Sequence, residues 1–245
     1  MNNLNIIHEL DVFGNRIMIN DKNSFFIKNF HIEQPLSEFI KKFVKKGDNV
    51  IELGSNIGYY TTLIAKLVGN EGKVFAFEPY STNFEMLKHN VELNNHKNVI
   101  MIQKAVLDVN DKVILYVCRY DNRNNSMYCT YSMKTDETIE VDTVYIDDYF
   151  KDYNENISFI KMDIQGAEFK AINGMKSLIQ KTKNLILLTE IWPEGLTKSG
   201  TSAKEFIELL LNNGFKLYDI NMKPINVVEM SKGEFLYDDI VGVKG

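Results

Sequence analysis

Cysteine is nearly absent. Of 245 residues only Cys118 and Cys129 carry a thiol, at a spacing that fits neither a disulfide framework nor a metal-ligand motif. That argues against a small disulfide-held fold and predicts a reducing compartment. No apolar run approaches the ~18 residues of a membrane span. Met1-Asn2-Asn3-Leu4-Asn5 lacks the basic-then-apolar pattern of a secretory leader. The expectation is a cytoplasmic protein with no membrane contact. An excess of positive charge is missing too. Lys+Arg number 28 against Asp+Glu 33, a net charge of -5, so a partner held through many phosphate contacts, such as duplex DNA, is not expected. No repeat, low-complexity tract or Pro/Gly/Ser linker divides the chain, which predicts one domain over residues 1–245. What is there is ordinary globular composition, 44% apolar and 25% charged. A chain of this length buries roughly 70–75% of the surface its unfolded form exposes, enough to stand without disulfides or metals.

Residues 1–47 read as an extension. A strand or hairpin region turns at Phe13-Gly14-Asn15, and Pro35 then opens a helix. In that helix Leu36, Phe39, Ile40, Phe43 and Val44 make one buried stripe at i, i+3, i+4, i+7 and i+8, and Gly47 stops it. From Asn49 onward strands and helices alternate. Val50–Leu53 reads as the first core strand, Tyr59–Val68 as a helix, Lys73–Glu78 as the second strand and Asn98–Gln103 as the third. Thr82 and Glu85 have capping-box spacing for the helix between the last two. Ile157–Asp163 is a fourth strand, followed by a helix carrying Ala167, Phe169, Ile172 and Met175. Asn184–Glu190 is a fifth. Ser202 and Glu205 form a second capping box before a helix with Phe206, Leu209 and Leu210. Phe215–Ile220 and Glu234–Val243 end the chain as strands with no helix between them. The pattern predicts an α/β fold: a mostly parallel sheet with helices on both faces and an antiparallel C-terminal hairpin at one edge. Residues 111–150 lack helical period. They read as a β insertion between the third and fourth core strands, placed to cover a ligand from one side.

In such sheets ligands bind at the carboxyl ends of the strands, beside the point where strand order reverses. The first strand ends there in Glu52-Leu53-Gly54-Ser55-Asn56-Ile57-Gly58. Gly54 permits a sharp turn, and Gly58 permits close approach of the helix start to a ligand. Asn56 stands where the dinucleotide fingerprint G-x-G-x-x-G needs glycine, which argues against a pyrophosphate and an NAD-dependent oxidoreductase. A carboxylate at Glu52 would repel a pyrophosphate but suits an amino group. Twenty residues after Gly58, Glu78 ends the second strand, placed to accept two hydrogen bonds from a ribose diol. Pro79 and Tyr80 are placed for an adenine face.

These runs, with Lys161-Met162-Asp163-Ile164-Gln165-Gly166-Ala167-Glu168, resemble the motifs of class I S-adenosylmethionine-dependent methyltransferases. More narrowly they resemble the FkbM family, whose motifs usually read D-x-G-A-N-x-G, F-E-P and K-x-D-x-E-G-x-E. The resemblance runs from about Leu36 to Ile220 and includes Thr143–Phe150, similar to the family's T-L-D-D stretch. It implies a Rossmann-like methyltransferase sheet, S-adenosylmethionine as donor and S-adenosylhomocysteine as product. The implied cofactor-binding set is Glu52, Gly54, Ser55, Asn56, Gly58, Tyr59, Glu78, Pro79, Tyr80, Lys104, Ala105 and Asp163. Glu52 stands for the usual Asp and Ser55 for Ala. Gln165 replaces a common Glu, removing one charge. Where the family often has Glu, an aliphatic residue and His, this chain has Glu190-Ile191-Trp192.

Methyl transfer is an in-line displacement, and a base helps when the acceptor is a weakly acidic hydroxyl or a protonated amine. Asp163 at the end of the fourth strand, Glu190 at the end of the fifth and Glu168 one turn into the next helix are the candidate catalytic carboxylates, expected to converge over the acceptor. They act as base or, less favoured, hold a divalent metal. Asn124 and Asn125 in the polar loop Asp121–Ser126, with Trp192, are candidate acceptor contacts; Tyr128 is a further aromatic and His31 a candidate for the cofactor mouth. Exocyclic-amine methylation of nucleic acid needs an Asn/Asp-Pro-Pro-aromatic loop where this chain reads Asp163-Ile164-Gln165-Gly166. The expected activity is O-methylation of a polar small molecule, such as a sugar, glycan precursor or secondary metabolite. The alternatives are N-methylation, methylation of a phosphate-type oxygen, or a methyltransferase-like binding module without activity. The β insertion also offers a surface for a homodimer.

Overall fold

A computed structural model describes residues 6–20, 34–118, 125–128, 137–235 and 238–245. Strands β1 (Ile6–Val12) and β2 (Asn15–Asn20) form an antiparallel hairpin. Its turn, Phe13-Gly14, has φ of 53° and 76°, the two left-handed residues that a two-residue hairpin needs. Helix α1 (Gln34–Phe43) follows and buries Phe39 and Ile40, as its spacing predicts.

The core alternates β3 (Asn49–Leu53), α2 (Tyr59–Val68), β4 (Lys73–Phe77), α3 (Ser81–Leu93) and β5 (Val99–Ile102). A second, smaller sheet comes next: β6 (Ala105–Leu107), β7 (Lys112–Tyr116) and β8 (Thr138–Tyr145), then a helical turn, α4 (Ile146–Tyr149). The core resumes with β9 (Phe159–Met162), α5 (Glu168–Asn173), α6 (Lys176–Lys181) and β10 (Leu185–Ile191). Then come α7 (Pro193–Lys198), α8 (Ala203–Asn212), β11 (Lys216–Asp219), α9 (Val227–Met230) and β12 (Asp238–Lys244).

The main sheet has the order β11-β12-β10-β9-β3-β4-β5. β12 lies antiparallel to both β10 and β11, and the other neighbours are parallel. This is the mostly parallel α/β sheet expected, with its antiparallel pair at one edge. The chain leaves β3 toward β4 and β5 and returns on β3's other side as β9. The carboxyl end of β3 is therefore the switch point where a ligand crevice opens. Strand alternation feeds two cores. Ile51, Leu53, Ile160, Met162 and Leu187 pack against α5, α6 and α8. Val50, Val74, Phe159 and Leu188 pack against α1, α2 and the hairpin.

The structure corrects several local expectations. Helix α3 starts at Ser81 with Tyr80 as its N-cap and no side-chain cap, so Thr82 lies inside the helix and not at its cap. Ser202 does cap α8, accepting from Glu205 N–H. The helix after β9 is two helices. A Cβ on Gly174 would lie 2.3 Å from the Leu107 carbonyl oxygen, so the backbone of β6 breaks the run there. A helical turn, α9, separates β11 from β12, capped by Asn226. The small sheet also begins at Ala105, before the boundary read at Asp111. Its β8 is central, parallel to β6 and antiparallel to β7. Within the same region Asp147 accepts from the N–H groups of Ser177 and Leu178, both 2.8 Å away, and so fixes the start of α6.

Candidate active site

On the α2 face of the sheet, strand register builds a row of charged side chains. Glu52 of β3 pairs with Lys161 of β9. Side chains alternate along a strand, so Asp163, two residues past Lys161, projects to the same face. Thr189 of β10 pairs with Met162, which sets Glu190 beside Asp163. The row has an inner rung, Glu52–Lys161, and an outer rung, Asp163–Glu190.

Glu52 is fully buried. Thr61 of α2 donates its hydroxyl to Oε2 at 2.5 Å, while Oε1 has no hydrogen-bond partner among the described residues. Burial pushes this carboxyl up to about 7, against the pull of Lys161 and Thr61. An unpaired buried acceptor costs about 1–3 kcal/mol, more when charged. The missing partner is a hydrogen-bond donor, best a cationic one.

The turn after β3 is held by backbone. Gly54 and Ser55 both donate N–H to the Phe77 carbonyl at 3.0 Å, and Gly58 N–H donates to the Ser55 carbonyl. Gly54 has φ of 80°, and a Cβ there would stand 1.9 Å from the Asp163 carbonyl oxygen. Glycine lets the ends of β3 and β9 touch. Gly58 serves another purpose than expected: a Cβ would meet Leu87 Cδ1 at 2.8 Å, so it permits α2 to pack on α3 and not a ligand's approach.

Glu78, just past β4, is buried. Its Oε1 accepts from Tyr80 N–H and its Oε2 from Asn56 N–H, each at 2.9 Å. Burial pushes it up to about 7, opposed by those two amides and by the Asn83 side chain. A carboxylate has about four acceptor sites, so two remain for a diol. Glu52, with its open oxygen, and Glu78, with its two spare acceptor positions, fit the amino group and the ribose of S-adenosylmethionine at opposite ends of one turn. The remaining members of the expected set are placed differently. Tyr59 is buried in the core beside Tyr60. Tyr80 packs with Ala105, Leu115, Val117 and Val141 under the small sheet, so Tyr80 and Ala105 join the two sheets. Pro79 and Lys104 are half-buried at the rim.

On the outer rung a single amide joins two carboxylates. Gln165 Nε2 donates to Asp163 Oδ1 at 2.7 Å and to Glu190 Oε2 at 3.1 Å, from a backbone with φ of 52°. Burial, then the charges of Asp163, Glu168 and Asp239, hold the Glu190 carboxyl well above the usual carboxylate range, with Lys161 opposing. Asp239 belongs there because β12 pairs it with Glu190. Glu168 is not part of this convergence. It is fully buried, its Oε1 accepting from Ile164 N–H at 3.0 Å and its Oε2 from Gly166 N–H at 2.9 Å. It shapes the loop that carries Asp163 and Gln165.

Around the rim, Trp192 is half-buried and caps α7, its ring packed on Gly195. Asn125 Oδ1 accepts from Cys118 N–H at 2.8 Å, and its Nδ2 is buried with no partner among the described residues. Ser126 donates to the Gln165 carbonyl at 2.6 Å, tying the insertion to the carboxylate pair. Asn124 and His31 lie outside the described residues. Among those described, no group of three His, Cys, Asp or Glu is placed to hold a metal ion, and no helix is long and apolar enough to cross a membrane. Sequence reasoning gave no role to Thr61, Asn83, Ser126 or Lys161. Lys161 stood inside a quoted motif; the other three carried no local signal.

Comparison with known proteins agrees with this geometry. A putative rRNA-methylase from Clostridium thermocellum superposes with a TM-score of 0.51 over 92% of this chain and 99% of its own, at 14% identity. Fibrillarin from Aeropyrum pernix, solved with natively bound S-adenosyl-L-methionine, gives a TM-score of 0.50 over 86% and 74%, at 13% identity. At that identity the likeness is one of fold. A protein-L-isoaspartate O-methyltransferase of Methanothrix thermoacetophila is 36% identical over 59 residues, 24% of this chain and only 28% of the relative. The methyltransferase FkbM domain matches residues 52–217, from the orphaned Glu52 to the edge strand. The chain therefore belongs to the FkbM family and is an S-adenosylmethionine-dependent methyltransferase of class I.

Proposed function

We propose that the protein methylates a hydroxyl of a polar small molecule, such as a sugar, a glycan precursor or a secondary metabolite, and that the Asp163–Glu190 pair takes the hydroxyl proton. The observation that carries this reading is the Gln165 bridge between the two carboxylates, beside the turn that fits the donor. When bound, S-adenosylmethionine supplies a methyl group on a cationic sulfur. As the acceptor oxygen forms its bond to that carbon, the carbon–sulfur bond breaks with its electron pair going to sulfur, and the oxygen's proton passes to the carboxylate pair. Glu52 holds the amino group and Glu78 the ribose, while Glu168 keeps the loop bearing Asp163 in shape. A base raised well above the usual range is protonated in mild acid. Activity therefore rises with pH through the titration of the pair.

The test has two parts. A labelled-donor screen against sugars and nucleotide-sugars is expected to give an O-methyl product. Asp163→Asn and Glu190→Gln should each lower kcat by about 10²–10³ while leaving S-adenosylhomocysteine affinity within a few-fold. Label on an amine nitrogen, or donor binding with no transfer to any acceptor, overturns the reading. The second outcome would favour the binding-module alternative, which Trp192 at the family's frequent histidine position leaves open.

A further inference from the structure

Lys161 is buried to 4% exposure on a central strand. Its Nζ stands 4.9 Å from the centroid of the Tyr60 ring on α2 and 3.7 Å from Asp163 Oδ2. The register pairs it with Glu52, and its positive charge acts on Glu52 and Glu190 alike. The groups facing it are thus Glu52 from β3, Tyr60 from α2, Asp163 from its own strand and Glu190 from β10. Asp239 and Glu168 add negative charge around Glu190. A buried ammonium is not explained by packing. Replacing buried ions with apolar side chains of similar size is often neutral or stabilising, and Met would fill this volume. The ammonium therefore has an electrostatic task, and its place between the two rungs defines it.

We propose that Lys161 is a positioning residue shared by the donor and acceptor sites, its one ammonium charge keeping Glu52 ready for the donor's amino group and holding Asp163 toward the acceptor. The acceptor half rests on the reading of Asp163 and Glu190 as the proton-accepting pair. The donor half does not.

The coupling is visible in protons. Glu52 titrates at about 7 and must be ionised to hold an ammonium, so binding S-adenosylhomocysteine at pH 7 expels about half a proton from Glu52, with Glu78 adding its own share. Without Lys161, Glu52 holds its proton more tightly, and more is expelled on binding. Calorimetry of S-adenosylhomocysteine in buffers of different ionisation enthalpy reads this number without turnover. In Lys161→Met the release is expected to rise by several tenths of a proton. Affinity should fall about tenfold at pH 7 and recover toward pH 9, and the acid limb of kcat should move up by about one pH unit. Lys161→Arg keeps the charge and should stay near wild type in all three. Unchanged release in the Met variant, or a pH-independent loss shared by Met and Arg, overturns the proposal. A wild-type enzyme with no acid limb instead overturns the base reading, and altered release in Lys161→Met would then still support the lysine's role at the donor site.

Discussion

The donor rim and the acceptor rim of the same sheet are built in different ways. At the donor rim, residues 52–80 supply both carboxylates, and short-range backbone contacts hold the turn: Gly54, Ser55 and Gly58 through carbonyls, Glu78 through the amides of Asn56 and Tyr80. At the acceptor rim, Ser126, Lys161, Gln165, Glu190 and Asp239 come from the insertion and three strands, and side chains hold one another. A backbone-held site is stiff and suits a ligand that never changes. A site held by side chains tolerates replacement one residue at a time, which suits an acceptor that differs between relatives.

The harshest way to break the donor rim is at Gly54. A Cβ there meets backbone at 1.9 Å, and backbone cannot swing aside. The left-handed φ adds its own penalty of about 1–2 kcal/mol. Gly54→Ala is expected to lose about 3 kcal/mol or more of stability by urea denaturation, and donor binding with it. Gly58→Ala shares the left-handed φ but meets only the flexible end of Leu87, so it should lose distinctly less. Equal losses would show that the touching of β3 and β9 does not set the stiffness.

The same contrast explains what the sequence could reveal. The Glu52–Gly58 turn and Glu78 were legible because their spacing is local, and glycine and strand-end acids carry their reasons with them. The strands and most helices were legible from apolar period. Thr82 misled because Glu78 pins the Tyr80 amide and α3 starts a residue early. Glu168 misled because a carboxylate one turn into a helix reads alike whether it faces a ligand or the loop before it. Gln165 was seen only as a lost charge. Its bridging role needs β10 beside β9, and nothing near residue 165 announces residue 190.

A milder probe of the donor rim is Glu52→Gln, which keeps an acceptor for Thr61 but removes the charge. Donor affinity is expected to fall about 10- to 100-fold by calorimetry, the worth of a charge-assisted bond. Stability should move the other way. The native carboxyl titrates at about 7, above an unfolded value near 4.5, so the folded state holds the extra proton and loses stability as pH rises between those values. The Gln variant lacks this loss. In the absence of donor it should be the more stable protein at pH 8, by on the order of 1–3 kcal/mol, with the gap closing toward pH 4.5. A gap that does not change with pH would mean that Glu52 is not the titrating group.

The smallest effect sharpens the acceptor side. Ser126 accepts from Tyr128 N–H at 3.0 Å while donating to the Gln165 carbonyl at 2.6 Å, so one hydroxyl links the insertion to the amide that joins Asp163 and Glu190. Ser126→Ala leaves those two backbone groups without that partner and removes no charge. About 1 kcal/mol is at stake, equivalent to roughly a fivefold fall in kcat/KM for the acceptor and a few degrees in Tm. Because Gln165 orients both carboxylates, the pH at which activity rises should also move, while S-adenosylhomocysteine affinity stays as it was. A loss confined to Tm would make Ser126 a brace for the insertion alone. A loss in donor affinity of the same size would mean that the two rims are not separately built, and the contrast between them would fail.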